Sequence, residues 1–300
     1  MRSTILVTFF LILTTFPAYA DTVTVPNVFS NGAVADANAV NANFSALASE
    51  SNENDARIAA IENVRTPISS VPFTISASGS YYLTGNLKDL TNGEGITITA
   101  SDVTLDLMGF TLTGTGTAHY GIEITGINTS IANGTIRAFG QAGIYGSNNG
   151  SRATAIRAIG NGTLGTDYRY TGIRLSGKDT YIERCLTVDN GGYGIIAGTN
   201  ATVTNNITRS NGNTGLSVGA GTLVLNNTVV SNANDGIYVS SGALVANNTV
   251  MSNGQWGIYI TGSSTIVKSN TVRDNNTSLS FLLWKVTSGQ RQRRFLHSSL

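Results

Sequence analysis

The spacing of apolar and polar positions changes character along this 300-residue chain. Over its larger part a glycine followed by an apolar residue recurs. The pairs are Gly121-Ile122, Gly143-Ile144, Gly172-Ile173, Gly194-Ile195, Gly215-Leu216, Gly236-Ile237 and Gly257-Ile258. All but one of the steps between them are nearly equal; the exception is the longer step from Gly143 to Gly172. A fixed period of about 21 marks a solenoid, in which each surface position stacks into a column. Within each unit the alternation has period two, as a strand requires. Setting Ile237 inward sets Val239 inward and Tyr238 outward. The same register gives inward pairs Ile122/Ile124, Ile173/Leu175, Leu216/Val218 and Ile258/Ile260, with Gly146 and Ala197 as small second members. The glycine ahead of each pair predicts a corner, where φ is unusual or backbones approach closely.

Further columns follow. Ile182, Val203, Val224, Val245 and Val267 recur at the same period. Beyond them run Asn206, Asn227, Asn248 and Asn270, with Cys185 one rung earlier, and then Asn190, Asn211, Asn232, Asn253 and Asn275. Asparagine tolerates left-handed turns, and its amide can bond the equivalent amide on the next rung. These columns are therefore structural, and the Asn-x-Thr sequons are their by-product rather than glycosylation sites. The units are too short for helices and rich in Val, Ile, Thr and Gly, so three short strands per rung are predicted. No proline follows Pro72, as continuous ladders require.

The segment Ile96-Thr97-Ile98-Thr99-Ala100-Ser101-Asp102-Val103-Thr104-Leu105-Asp106-Leu107, with Gly109-Phe110-Thr111-Leu112 after it, resembles the opening rungs of right-handed parallel β-helix proteins. The later Gly-Ile and Asn-Asn rungs resemble repeats of the pectate-lyase-like superfamily. The resemblance spans residues 93–278 and implies a mainly β fold, a right-handed single-stranded parallel β-helix. That superfamily holds lyases, hydrolases, epimerases and non-enzymatic surface proteins, so the fold does not select a function.

Residues 1–20 have the make-up of a secretory signal. Arg2 supplies charge, Ile5 to Phe16 is apolar, and Ala18-Tyr19-Ala20 is a cleavage site. Export to the medium, cell surface or periplasm is expected, with no membrane span after cleavage. A linker occupies 21–31. Over 32–65 the period becomes heptad: Ala33, Ala37, Val40, Phe44, Leu47, Ser51, Asn54, Ile58 and Ile61 alternate steps of four and three. Either a coiled-coil stalk or a helix capping the solenoid fits. Its resemblance to the stalks of bacterial and phage surface proteins implies self-association through residues 32–64, with a trimer as the leading expectation. Residues 66–92 are read as the N-terminal cap and opening strands, and 93–278 as the β-helix. The tail, 279–300, departs in composition: Phe281-Leu282-Leu283-Trp284 is apolar and Gln290-Arg291-Gln292-Arg293-Arg294 basic. It is either a C-terminal cap or a truncated or frameshifted ending.

Charge and cysteine narrow the chemistry. Of the 18 Lys and Arg, Arg2 leaves with the signal, so 17 face 17 Asp and Glu. This balance gives no case for nucleic acid. Cys185 is the only cysteine and the histidines are His119 and His297, so no disulfide forms within the chain and no Cys/His metal spacing exists. No metal site or other cofactor is identified.

The outward residues of the Gly-Ile strands form a strip: Glu123, Tyr145, Arg174, Ile196, Ser217, Tyr238 and Tyr259. Before each glycine stand Tyr120, Ala142, Thr171, Tyr193, Thr214, Asp235 and Trp256. Rings among Asp, Glu and Arg suit sugars, because rings pack on apolar pyranose faces and polar groups take the hydroxyls. Tyr120, Tyr145, Tyr170, Tyr193, Asp235, Tyr238, Trp256 and Tyr259 are the carbohydrate-binding candidates, and polysaccharide is the expected partner. Stacked tyrosines also stiffen an exposed sheet with no ligand at all. A hydrolase needs paired carboxylates, and no acidic neighbour of Glu123 is evident in its column. The resembled lyases use Arg or Lys beside carboxylates that hold Ca²⁺, so calcium belongs to that alternative alone. His119, Glu123, Arg174 and Asp167 of the insertion near 161–170 are the catalytic candidates. Three functions stay open: a polysaccharide-engaging surface module, a polysaccharide lyase or hydrolase, and a purely structural, adhesin-like protein.

Overall fold

The computed structural model describes residues 26–62 apart from 30, 31, 33 and 35, together with 65–276 and 281–282. The chain divides into two compact units at residue 64. In the first, the helix Ala37–Glu62 covers the heptad segment from its second seam position, and Ala33 lies outside the described residues. Asp36 caps it, its Oδ1 accepting the N–H of Asn38 at 3.0 Å. Asn27 is tied to the helix by three bonds with Asn43, at 2.9, 3.3 and 2.8 Å, and by one to Ala39 O at 3.2 Å. Phe44, Leu47 and Ile58 of the heptad seam are exposed. The secretory-signal segment and the tail beyond 282 lie outside the described residues.

The second unit is a parallel β-solenoid, a right-handed β-helix as the repeat implies. Every described strand pairing in it is parallel. The Gly-Ile strands form one sheet of ten described strands, and the second and third columns form another of seventeen. Three strands make a rung, and through the regular part each pairs with its equivalent on the next rung. Pairing begins at Arg65, which stands beside Ser80, and Phe73 stands beside Ile96, so residues 66–92 are already ladder. Phe281–Leu282 adds a strand beside Ile258 and Tyr259.

The alternation works as period two demands. Ile122, Ile144, Ile173, Ile195, Leu216, Ile237 and Ile258 are all fully buried, and so are their partners two residues on, to within a few per cent. The glycine ahead of each pair is needed for close approach rather than for an unusual φ. A Cβ at Gly121, Gly143, Gly194 or Gly236 would lie 2.6 Å from the carbonyl oxygen of the next glycine in the column. The same Cβ would meet the asparagine column, 2.8 Å from Asn211 Nδ2 at Gly194 and from Asn253 Nδ2 at Gly236. Only glycine lets these two columns share a corner.

Both asparagine columns are continuous hydrogen-bond ladders. Asn206 Nδ2 donates to Asn227 Oδ1 at 3.0 Å, Asn227 to Asn248 at 3.0 Å and Asn248 to Asn270 at 2.9 Å. The second ladder runs Asn190, Asn211, Asn232, Asn253 and Asn275 with steps of 2.8–3.0 Å. Each backbone N–H also donates to the next Oδ1, so a buried amide oxygen takes two donors. The ladder asparagines do not adopt the left-handed conformation. The residue before each does, for example Asn205 at φ 58°, Asn226 at 56° and Ser231 at 55°. Asn161, placed by sequence in the insertion, heads the second ladder, bonding Asn190 Oδ1 at 3.1 Å. Cys185 heads the first through its N–H, 2.9 Å from Asn206 Oδ1, and burial pushes its thiol pKa up to about 12.

Candidate functional site

The outward strip is a physical column. Thr97, Glu123, Tyr145, Arg174, Ile196, Ser217, Tyr238 and Tyr259 stand side by side in register. All are partly exposed. The structure groups the candidate residues into two clusters, with Ile196 and Ser217 between them.

The N-terminal cluster is a stack of planar groups. The Tyr120 and Tyr145 rings lie 4.4 Å apart at 11°. The Arg174 guanidinium covers Tyr145 at 5.1 Å and Tyr168 at 4.9 Å, and donates to Tyr168 O at 3.2 Å. Tyr145 therefore has a neighbour on each side and offers its edge and hydroxyl rather than a free face. Arg174 is held by the tyrosines and does not pair with Glu123.

Beside this stack sits a carboxylate that the sequence reading missed. His119 Nδ1 lies 3.2 Å from Glu94 Oε1. Glu94 acts on Glu123 as well. Partial burial raises the Glu123 pKa, the Glu94 charge raises it further, and His119 opposes both. Burial also raises the Tyr120 hydroxyl, reinforced by Tyr145, Glu123 and Glu94. Glu94 was findable: it precedes Gly95-Ile96, another pair of the column, whose step to Gly121 is longer than the regular period. A Cβ at Gly95 would meet Gly121 O at 2.5 Å, as at the other corners.

The insertion is pinned against the solenoid. Thr163 Oγ1 donates to Gly116 O at 2.8 Å, Thr171 Oγ1 to Tyr168 O at 2.8 Å and Asn213 Nδ2 to Thr166 O at 2.9 Å. Asp167 is occupied by Arg169, 2.9 Å away, whose hydrogen bonds hold the carboxyl below its usual range. Arg169 also lies 5.7 Å over the Tyr170 ring, which turns back onto its own loop against Gly165. Neither Asp167 nor Arg169 joins the Glu94–Glu123 group.

The C-terminal cluster gathers Tyr193, Asp235, Tyr238, Trp256 and Tyr259. Trp256 and Tyr259 stack at 5.8 Å and 20°, and Tyr238 tilts against Tyr259 at 5.6 Å. Asp235 is buried, which raises its pKa, while the Trp256 N–H donated to Oδ1 at 3.0 Å works the other way. Burial and the Asp235 charge raise the Tyr193 hydroxyl. Asp102 and Asp106 serve the fold: Asp102 takes a bond from Asn128 Nδ2, and Asp106 pairs with Arg65 at 3.2 Å. Among the described residues no group of three or more His, Cys, Asp or Glu is placed to hold a metal ion. Among them, too, no helix is long and apolar enough to cross a membrane.

Comparisons with known proteins agree on the fold. Residues 166–287 match the family model described as right handed beta helix region. No curated protein sequence matches the chain. Among solved structures, the Dettilon tailspike protein superposes with a TM-score of 0.51 at 16% identity, over 69% of this chain and 54% of its own. The chain thus spans about half the length of that tailspike. The periplasmic alginate epimerase AlgG, as a variant, gives 0.41 at 10% identity over 66% of this chain and 63% of its own. By its repeat, its parallel ladders and the family model it matches, the chain is similar to the right-handed parallel β-helix proteins.

Proposed function

We propose that this chain is an exported β-helix module that engages polysaccharide along the outward strip of its Gly-Ile sheet. The observation that carries this reading is the alignment of two aromatic and acidic clusters on one face, in register along the solenoid. Rungs repeat about every 4.8 Å, so a glycan chain lying along the strip meets both clusters. The C-terminal cluster supplies ring faces beside the buried carboxylate of Asp235. The N-terminal cluster supplies hydroxyls, a guanidinium edge and two carboxylates for sugar hydroxyls. The exposed seam of Phe44, Leu47 and Ile58 supports self-association through residues 32–64, with a trimer as the leading number. Multiple copies of one strip would strengthen binding by avidity.

A second reading makes the N-terminal cluster a reaction centre. It is favoured by Glu123, whose pKa is raised beside Glu94 and His119, a pairing suited to acid–base chemistry on a glycosidic or uronic linkage. A glycan array combined with an assay for reducing ends and for the ultraviolet absorbance of unsaturated uronates separates the readings. The binding reading predicts retention without turnover. Turnover abolished by Glu123→Gln would establish the enzyme instead, and no retention of any neutral or anionic glycan would leave a structural surface protein. Sedimentation of a chain lacking residues 32–64 checks the stalk, with a fall to monomer mass expected and an unchanged mass rejecting it.

A further inference from the structure

The second sheet carries a feature that the strip does not use. A shallow depression opens on its outer surface, lined by Thr111, Thr135, Arg137 and Arg157 and rimmed by Gly109 and Gly160. Arg157 stands beside Thr135, which stands beside Thr111, while Arg137 stands beside Thr113 and Ile159. The two arginines are on adjacent strands, offset by two positions, and both are exposed. The rim glycines have φ of +80° and +60°, and Ala138 and Ile159 complete the lining.

The arginines here differ from the rest. Arg65 pairs with Asp106, Arg169 with Asp167, Arg184 with Glu183 and Arg273 with Asp274. Arg152 and Arg174 lie over tyrosine rings. Among the described residues, Arg137, Arg157 and Arg209 have no side-chain partner, and all three project from the third strand of their rungs. Two like charges on neighbouring strands repel. An oxyanion between them removes that cost. A guanidinium fork takes a carboxylate or sulfate through two parallel hydrogen bonds, and the threonine hydroxyls add donors.

We propose that this depression is an oxyanion site that takes a carboxylate or sulfate group carried on an acidic polysaccharide. It lies on a different sheet from the strip and stands or falls independently of it. The test is affinity electrophoresis of the full chain in gels containing polygalacturonate or dextran sulfate, with sodium sulfate as competitor. The parent chain is retarded in at least one gel, and sulfate relieves this more than sodium chloride of equal ionic strength. The paired substitution Arg137→Ala with Arg157→Ala weakens retention about tenfold, as loss of charge-assisted bonds implies. Arg209→Ala, two rungs away and off the strip, leaves the sulfate-sensitive retention unchanged. A doubly substituted chain that runs like the parent overturns the proposal. So does equal weakening by Arg209→Ala, which would indicate diffuse charge, or absence of retention in both gels. Sulfate that raises the melting temperature of the parent but not of the double variant, without polymer retention, would assign the site to a free ion and overturn the glycan assignment. All substituted side chains are at least partly exposed, and circular dichroism confirms that each variant is folded.

Discussion

The rungs before residue 160 and those after it turn the same corner by different means. In the two rungs that precede the insertion the second and third strands fuse into the eight-residue strands Ser130–Arg137 and Arg152–Ile159. Their corner position is filled by Gly134 and Ile156, and Phe139 is buried beside Asn161. In the later rungs the strands shorten to three residues and buried asparagine amides occupy the equivalent places. Apolar filling tolerates variable spacing, because hydrophobic contact is not directional. A ladder of amides does not, because each oxygen must meet donors from the adjacent rung. The regular period therefore belongs to the ladder half. The titratable cluster of Glu94, His119 and Glu123 lies in the half where rung length varies.

This contrast is open to direct tests. The largest effect is expected from Asn232→Ala. It removes donors to Asn253 Oδ1 and Thr208 O, and strips Asn211 of the acceptor for its N–H and its Nδ2. Leaving these groups buried and unpaired costs about 4 kcal/mol. Ile131→Val in the apolar half costs about 1 kcal/mol. Equal shifts in urea midpoint would erase the distinction between the halves. On the strip, Trp256→Ala is expected to weaken glycan binding about tenfold, through loss of a ring face. Tyr145→Phe, which keeps the stack between Tyr120 and Arg174, should change it less than about threefold. The reverse order, read by isothermal calorimetry, would move the binding platform to the N-terminal cluster.

A smaller gain is expected from Cys185→Asn. The Cys185 Sγ already sits 3.5 Å from Ala153 O, the place a ladder amide would donate, and its N–H already meets Asn206. Extending the ladder by one amide should stabilise the fold by about 1 kcal/mol. A destabilised variant would mean that the ladder stops where packing no longer admits it. The smallest effect concerns Asp235. Burial raises its folded pKa, so its charged form opposes folding; this penalty is complete above the folded pKa and vanishes below the unfolded one. Asp235→Asn keeps the acceptor for the Trp256 N–H. It should therefore melt above the parent at neutral pH and level with it below about pH 3. A difference that persists in acid would trace to packing instead.

Much of this was legible in the chain. Ile237, Tyr238 and Val239 announced their sides because a solenoid repeats one strand decision many times, and both asparagine columns were visible as spacing. Glu94 carried the weaker signal of the Gly95-Ile96 pair, which the longer step to Gly121 sets apart from the regular column. Asn161 was hidden by the insertion that follows it. The stacking of Arg174 between Tyr145 and Tyr168 depends on how that insertion is pinned, which no periodicity reports. Of the two reasons expected for the corner glycines, unusual φ or close approach, the structure shows close approach, and the left-handed residues sit one place before the ladder asparagines, where sequence spacing alone does not distinguish donor from turn.

Through the ladder half, strand pairing joins each rung to the rung before and the rung after it, and this has a mechanical consequence. Tension applied between residues 65 and 276 acts on one pair of neighbouring rungs at a time, so the solenoid should peel stepwise rather than rupture as a whole. Each detached rung releases about 70 Å of extended chain. Only in the ladder half, where the rungs are nearly equal in length, would these steps be of one size.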